Sequence, residues 1–275
     1  MTHTTGTLDG SPALRWRHWR PEIGETAASV ALIHGIHEHS GRYAYVASRL
    51  MLRGIEVHAV DLRGHGESEG PRGQIDDFGE YVQDADRFLQ HVRRSAAEAP
   101  RFLMGHSMGG LVSERWWVSH DHSDFAGLIL SSPALAVPKP NALLLAAAPL
   151  IDRFAPRLPV GKLNLEHLSR DVRVQAQYAN DSLNTVKPIQ ARTGWQLYQT
   201  TQEHDPADSA FDRPMYLFHG TDDPITDPEG TRTLAAAARN HATLRLWDGL
   251  RHETMNEPER EDVIDAVADW ILAQV

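Results

Sequence analysis

The sequence predicts an α/β fold: a mainly parallel sheet with helices on both faces and a helical segment inserted before the last strands. Three observations carry that prediction. Short β-rich runs alternate with longer helical patterns through most of the chain, as strands and crossover helices do. One stretch, 137–206, breaks the alternation. The chain has 275 residues, 41% of them hydrophobic, enough for one large core at a length where α/β folds still form a single unit.

Taken in order, strands are expected at Leu14–Trp19, Ser29–His34, Glu56–Val60, Arg101–Gly105, Gly127–Ser131, Met215–His219 and Thr243–Leu246. Between the third and fourth, Phe78–Glu98 reads as an amphipathic helix, because Tyr81, Val82, Ala85, Phe88, Leu89 and Val92 recur at three- and four-residue steps. Glu259–Val275 is a second such helix. The segment 137–206 opens with Pro138 and Pro140, carries short helical patterns and has no convincing strand. It is expected to cap the carboxyl edge of the sheet, where open α/β sheets place their ligand sites. The division that follows is a core of 1–136 and 207–275 with a cap of 137–206.

Charge and composition exclude several classes of function. A formal net charge of −10 disfavours nucleic acid and anionic membranes as main partners, since both need clustered Lys and Arg. The absence of cysteine rules out disulfides, thiolate zinc sites and a cysteine nucleophile. The longest apolar run, Ala142–Ile151, is about half of the ~20 residues a membrane-spanning helix needs, and Pro149 interrupts it. The N-terminal MTHTTGTLDGSPALRWRHWRP lacks the apolar stretch of a secretory signal, so a cytoplasmic location is expected.

The strongest local signal is Gly105-His106-Ser107-Met108-Gly109, a G-x-S-x-G sequence with an apolar run before it and a helical one after it. On such a turn the serine adopts strained backbone dihedrals, and a side chain two residues either way would strike the adjoining elements, so glycine stands there. A seryl hydroxyl is inert at neutral pH unless a base takes its proton. Two downstream segments supply the partners. HGTDDPIT places Asp222 and Asp223 just after a strand, and LRLWDGLRHETMNE places His252 after the last one. The spacing Gly220-x-x-Asp223 favours Asp223 as the acid, with Asp222 as the adjacent alternative. Asp248 reads as a turn residue, and Asp61 as part of the scaffold. The order Ser107, Asp223, His252 is that of α/β-hydrolases.

Acyl transfer also needs two donors aimed at the developing oxyanion. The backbone N–H of Met108 is one candidate, and that of Ile36, in the loop after the strand ending at His34, is the other. That loop lies within LIHGIHEHSGRY, whose three histidines and glutamate invite a metal reading. Their spacing matches neither H-E-x-x-H nor another familiar zinc pattern, so the loop is read as kept for its backbone geometry, and no metal or cofactor is expected.

HGIHEHSGRY, DLRGHGESEGPRG, GHSMGG, HGTDDPIT and GLRHETMNEPE, in this order, resemble the monoacylglycerol lipase and lysophospholipase group of α/β-hydrolases from about Leu14 to Ile271. The resemblance implies an α/β-hydrolase fold, Ser107 as nucleophile with Asp223 and His252, and Ile36 with Met108 as the oxyanion hole. It implies a small lipid ester as substrate and points to Glu38 and Arg42 as contacts for glycerol hydroxyls. A Glu38–Arg42 ion pair that shapes the loop is the other reading of those two residues. His37 departs from the pattern, because many relatives carry glycine or another small residue there. The cap resembles a lid that lines an acyl tunnel and touches lipid surfaces transiently, although ordinary packing also explains its apolar stripe. The expected function is hydrolysis of monoacylglycerols through an acyl-enzyme. A lysophospholipase, a broad carboxylesterase and a non-catalytic ligand-binding protein of the same fold are the competing readings, and oligomeric state is left open.

Overall fold

The computed structural model describes residues 3–22, 24–139, 141–205 and 211–275. Its elements follow in chain order: β1 (His3–Leu8), β2 (Leu14–Trp19), β3 (Ala28–Ile33), α1 (Ala44–Met51), β4 (Ile55–Val60), α2 (Gly79–Ser95), β5 (Arg101–His106), α3 (Met108–Ser119) and β6 (Phe125–Ser131). There follow α4 (Ala142–Phe154), β7 (Pro159–Gly161), α5 (Val172–Asn180), β8 (Ile189–Gln190) and α6 (Ala191–Glu203), then β9 (Met215–Gly220), α7 (Pro228–Ala238), β10 (Ala242–Trp247) and α8 (Arg260–Leu272).

Eight strands form one sheet in the order β1-β2-β4-β3-β5-β6-β9-β10. From β4 to β10 neighbouring strands are parallel, and β1 and β2 add an antiparallel edge. The central strands are buried on both faces, so alternate residues feed two cores. Ala31 and Ile33 of β3 pack with Tyr81, Phe88 and Val92 of α2 and Leu111 and Trp116 of α3. Val30 and Leu32 pack instead with Val46 and Leu50 of α1 and Val263 and Val267 of α8. Each of the seven strands expected from the sequence forms, with ends shifted by at most two residues.

Two features were not foreseen. β1 pairs with β2 from His3 opposite Trp19 to Leu8 opposite Leu14; its sequence, HTTGTL, is polar and mostly exposed, so it lacks the apolar run that marked the others. The cap segment, expected to lack strands, contains a small ribbon in which Pro159 and Gly161 oppose Gln190 and Ile189. At three and two residues these strands are too short to show a period. Pro140 and Pro206, which opened and closed the expected cap, lie outside the described residues.

The segment between β6 and β9 has unequal halves. From Leu163 to Thr185 it is bonded to the sheet's loops: the Tyr178 hydroxyl and the Thr185 N–H donate to the carbonyl of His37 at 2.8 Å each, and the Glu253 N–H donates to the carbonyl of Leu168 at 2.7 Å. By contrast, α4 buries none of its residues and exposes Leu143, Leu150 and Phe154. Among the described residues no helix is long and apolar enough to cross a membrane.

Phe88 is fully buried where α2 meets the sheet. Phe88→Ala is expected to lower unfolding free energy by about 3–5 kcal/mol, the usual loss for emptying a buried aromatic site, measurable by urea unfolding followed by circular dichroism.

Candidate active site

The carboxyl ends of β3, β5, β9 and β10 carry the loops that bring the expected site residues together. Ser107 stands alone between β5 and α3 with φ 54° and ψ −121°, a left-handed position that few residues other than glycine adopt. Two close approaches enforce that turn. A Cβ at Gly105 would lie 2.3 Å from the carbonyl oxygen of Gly109, and one at Gly109 would lie 2.3 Å from that of Ile33. The carbonyl of Ser107 accepts the N–H groups of Gly110, Leu111 and Ala134, and its own N–H donates to Ser131 at 3.0 Å.

His252 is buried, with Nδ1 2.7 Å from Asp223 Oδ2. The carboxylate is held from all sides. Oδ1 accepts the N–H groups of Ile225 and Thr226, while Oδ2 takes the Thr226 hydroxyl at 2.8 Å and lies 2.9 Å from His219 Nε2. Asp222, the alternative acid, is exposed and makes no contact with His252; its N–H donates to the carbonyl of Leu250. Asp248 is exposed beside Thr221, and buried Asp61 binds Arg17 and Ser40, as turn and scaffold residues should.

Burial opposes charge on His252, but the neighbouring Asp223 carboxylate and its hydrogen bond outweigh that and raise the ring above its ordinary value of 6.5. Burial also opposes charge on Asp223, and His252 and His219 more than offset it, holding the carboxyl far below the usual range. His106 packs against His252 with ring centroids 4.9 Å apart, and burial followed by the charge of His252 lowers it to about 4. Of these two neighbouring imidazoles, His252 is held above the ordinary histidine value and His106 below it.

Ser107 and His252 line one cavity of about 20 Å³ together with Gly35, Ile36, Tyr178, Ile225 and Glu253. Among the described residues no hydrogen bond joins the Ser107 hydroxyl to the ring; the two groups share the cavity wall. The N–H groups of Ile36 and Met108 have no acceptor among the described residues. Glu38 holds the Ile36 loop in shape: its Oε1 accepts the Gly35 N–H at 2.7 Å and the Tyr43 hydroxyl at 2.8 Å.

Glu38 and Arg42 form the ion pair that their spacing allowed, and Arg42 does more. Its two terminal nitrogens donate to the two oxygens of Glu253 at 2.7 Å each, and its guanidinium lies 4.7 Å from the Tyr178 ring centre. Burial pushes Glu38 up, but Arg42 and the nearby His106 and His34 outweigh it and hold the carboxyl down to about 2. His37 sits at φ 64°, a conformation that explains why a small residue suits the position. The histidines of this loop do not converge. His34 accepts the Leu62 N–H at 3.0 Å through Nε2, whereas His39 Nε2 lies 2.9 Å from Asp181.

The family described as serine aminopeptidase, S33 (Hydrolase_4) matches residues 24–259. The chain belongs to that family. It is similar to the monoacylglycerol lipase of Mycolicibacterium smegmatis, at 32% identity over 94% of this chain and 92% of the relative, and to the phospholipase YtpA of Bacillus subtilis, at 33% over 90% and 96%. The solved monoacylglycerol lipase of Paleococcus ferrophilus superposes over the full length of both chains with a TM-score of 0.78 at 28% identity. The chain is thus a carboxylic ester hydrolase of the monoacylglycerol lipase group, and its sheet is that of the α/β-hydrolases.

Sequence reasoning passed over three residues of this site. His219 and Thr226 flank Asp223, and Glu253 anchors Arg42. His219 ends a strand four residues before the acid, a signal that was available; Glu253 follows His252 directly, but nothing local marks it as the partner of a residue 211 positions away.

Asp223→Asn removes the largest influence that holds the His252 ring above 6.5, leaving burial opposed only by the lesser charges of Glu253 and Glu38. The His252 pKa is expected to fall below 6.5, read by proton NMR titration of the histidine C2 protons.

Proposed function

We propose that the chain hydrolyses monoacylglycerols to glycerol and free fatty acid through an acyl-enzyme, with Ser107, Asp223 and His252 as its triad. The observation that carries this reading is the shared cavity: a serine fixed at positive φ and an imidazole bonded at 2.7 Å to a buried carboxylate line the same wall. With Nδ1 committed to Asp223, Nε2 is the nitrogen free to take the Ser107 proton as the hydroxyl oxygen attacks the ester carbonyl. The N–H groups of Ile36 and Met108 then receive the developing oxyanion. His252 delivers its proton to the departing glycerol oxygen, and water repeats the sequence to release the acid. Proton-transfer contacts of this kind are often long in a free enzyme and tighten with substrate.

Substrate class follows from the two ends of the site. Glu38, Arg42, Glu253 and Asn256 make a polar wall beside His106, suited to hydroxyl groups. The segment 137–206 is the cap on a core of 1–136 and 207–275. A cavity of about 20 Å³ holds one water, not an acyl chain, so Leu163, Leu168 or Tyr178 must shift to admit one. The exposed apolar residues of α4 support a transient contact with a lipid surface. The similarity to a phospholipase supports lysophospholipid as the second reading.

Expected kcat/KM is higher for 1-monoacylglycerols than for lysophosphatidylcholine or p-nitrophenyl acetate, and Ser107→Ala is expected to lose at least roughly 10⁴-fold on all three; preference for lysophosphatidylcholine would transfer the assignment to the second reading. Because the base must be unprotonated, kcat/KM should fall as pH drops through an apparent pKa above 6.5. Replacing Leu143, Leu150 and Phe154 together by aspartate should cut turnover of monoacylglycerol in vesicles by about tenfold while sparing a dissolved short ester.

A further inference from the structure

At the amino end of the parallel strands, opposite the candidate active site, lies a second cluster of titratable groups that the reaction does not use. His18 of β2 and His58 of β4 are directly opposed in the antiparallel register, and Glu56 precedes His58 by two residues on the same face of β4. The two imidazoles stack with centroids 3.8 Å apart and planes 13° from parallel. One ligand atom from each of the three residues lies within 4.8 Å of the others.

Two further observations set this cluster apart from ordinary packing. Buried carboxylates elsewhere in the described residues sit on arginine: Asp61 on Arg17, Asp84 on Arg63, Glu38 and Glu253 on Arg42, Glu257 on Arg170 and Glu114 on Arg115. Among the buried carboxylates of the described residues, only Asp223 and Glu56 have histidine alone for an ion-pair partner, and Asp223 belongs to the proposed triad. Glu56 is wholly buried. In addition, Nε2 of His58, a residue 1% exposed, has no hydrogen-bond partner, although Glu56 Oε1 is 3.4 Å away. A buried imidazole nitrogen without a partner costs stability unless something satisfies it.

We propose that His18, Glu56 and His58 bind a divalent transition-metal cation, with Zn²⁺ as the probe, in a site remote from the hydrolytic chemistry. Two neutral imidazoles and one carboxylate are a donor set that zinc takes readily, with a fourth position open to water. Glu56 is already ordered for the role: its Oε1 accepts the Ser29 hydroxyl at 2.5 Å and the Ala97 N–H at 2.8 Å, leaving Oε2 beside His18 Nε2 at 3.1 Å. Such outer hydrogen bonds orient ligating carboxylates in metal sites. Coordination at about 2.0–2.1 Å requires the donor atoms to close in, and His18, with 15% of its side chain exposed, has room to turn and gives the cation its way in. A bound cation would fasten the antiparallel β1–β2 edge to the parallel sheet.

Isothermal titration of ZnCl₂ into the full-length chain at pH 7.5 tests this. One site per chain is expected, with affinity reduced by roughly tenfold or more in His18→Gln and in His58→Gln, a melting temperature that zinc raises in the parent but not in the variants, and esterase activity retained by both. Co²⁺ in place of zinc should give the visible absorption of a four-coordinate site in the parent only. Should His58→Gln fail to fold, His18→Gln, at a partly exposed position, decides the question alone. Weak uptake equal in parent and variants, or stoichiometric zinc lost in His252→Ala but kept in His18→Gln, overturns the proposal.

Discussion

The turn at Ser107 is the constraint from which the site's geometry follows. β5 must end and α3 begin within one residue, and α3 must run so close to β3 that the Gly109 position has no room beside the Ile33 carbonyl. A left-handed backbone at a serine costs on the order of 1–3 kcal/mol. The surrounding structure offsets it. Three N–H groups converge on the Ser107 carbonyl, and Met108, Leu111, Val112 and Trp116 drive α3 into the core. The serine is held up at the sheet's carboxyl edge because the helix beneath it is fixed by burial, and the N–H of Met108 is left without a helical acceptor for the same reason.

A second interaction sets the distance between the two halves of the site. Arg42 joins Glu38, which shapes the loop bearing the Ile36 N–H, to Glu253, which adjoins His252. The guanidinium is planar and fork-shaped, so its paired bonds to Glu253 fix orientation as well as separation. All three side chains are nearly buried, and removing the cation would leave two carboxylates facing one another without compensation, a loss of about 3–5 kcal/mol by analogy with other broken buried pairs. Of the two readings posed by the sequence, the ion pair exists, and the pair also lines a small pocket beside His106.

What could be read from the sequence was what depends on neighbours along the chain. Seven strands and two long helices showed themselves through apolar runs and three- and four-residue steps, and Gly105-His106-Ser107-Met108-Gly109 announced its turn because the glycines are required locally. Asp223 as the carboxylate that meets His252 was legible to within one residue, since only one of two adjacent aspartates can face inward from a turn and Gly220 set the count. Pairings across the fold were not legible. Arg42 with Glu253 and His18 with His58 are each fixed by which segments lie side by side in the assembled fold. β1 escaped for a different reason: an edge strand exposes one side to water, so its residues need not be apolar.

The same sheet carries two histidine–carboxylate arrangements at opposite ends, and they differ in how their imidazoles are satisfied. At the carboxyl edge, His252 has one nitrogen bonded to Asp223 and lines the cavity that also holds Ser107, an asymmetry on which the proposed proton transfer rests. At the amino edge, two rings stack face to face over one carboxylate, and the more deeply buried of them has a nitrogen with no hydrogen-bond partner. The Ser29 hydroxyl beside that pair donates to Glu56 Oε1 rather than to an imidazole. Asp223 also meets two imidazoles, but of these it is His252 that shares a cavity with a serine, the arrangement the proposed proton transfer uses, whereas Glu56 has both of its imidazoles stacked beside it, the arrangement the proposed cation site uses. Strand register, rather than residue type, separates the two uses.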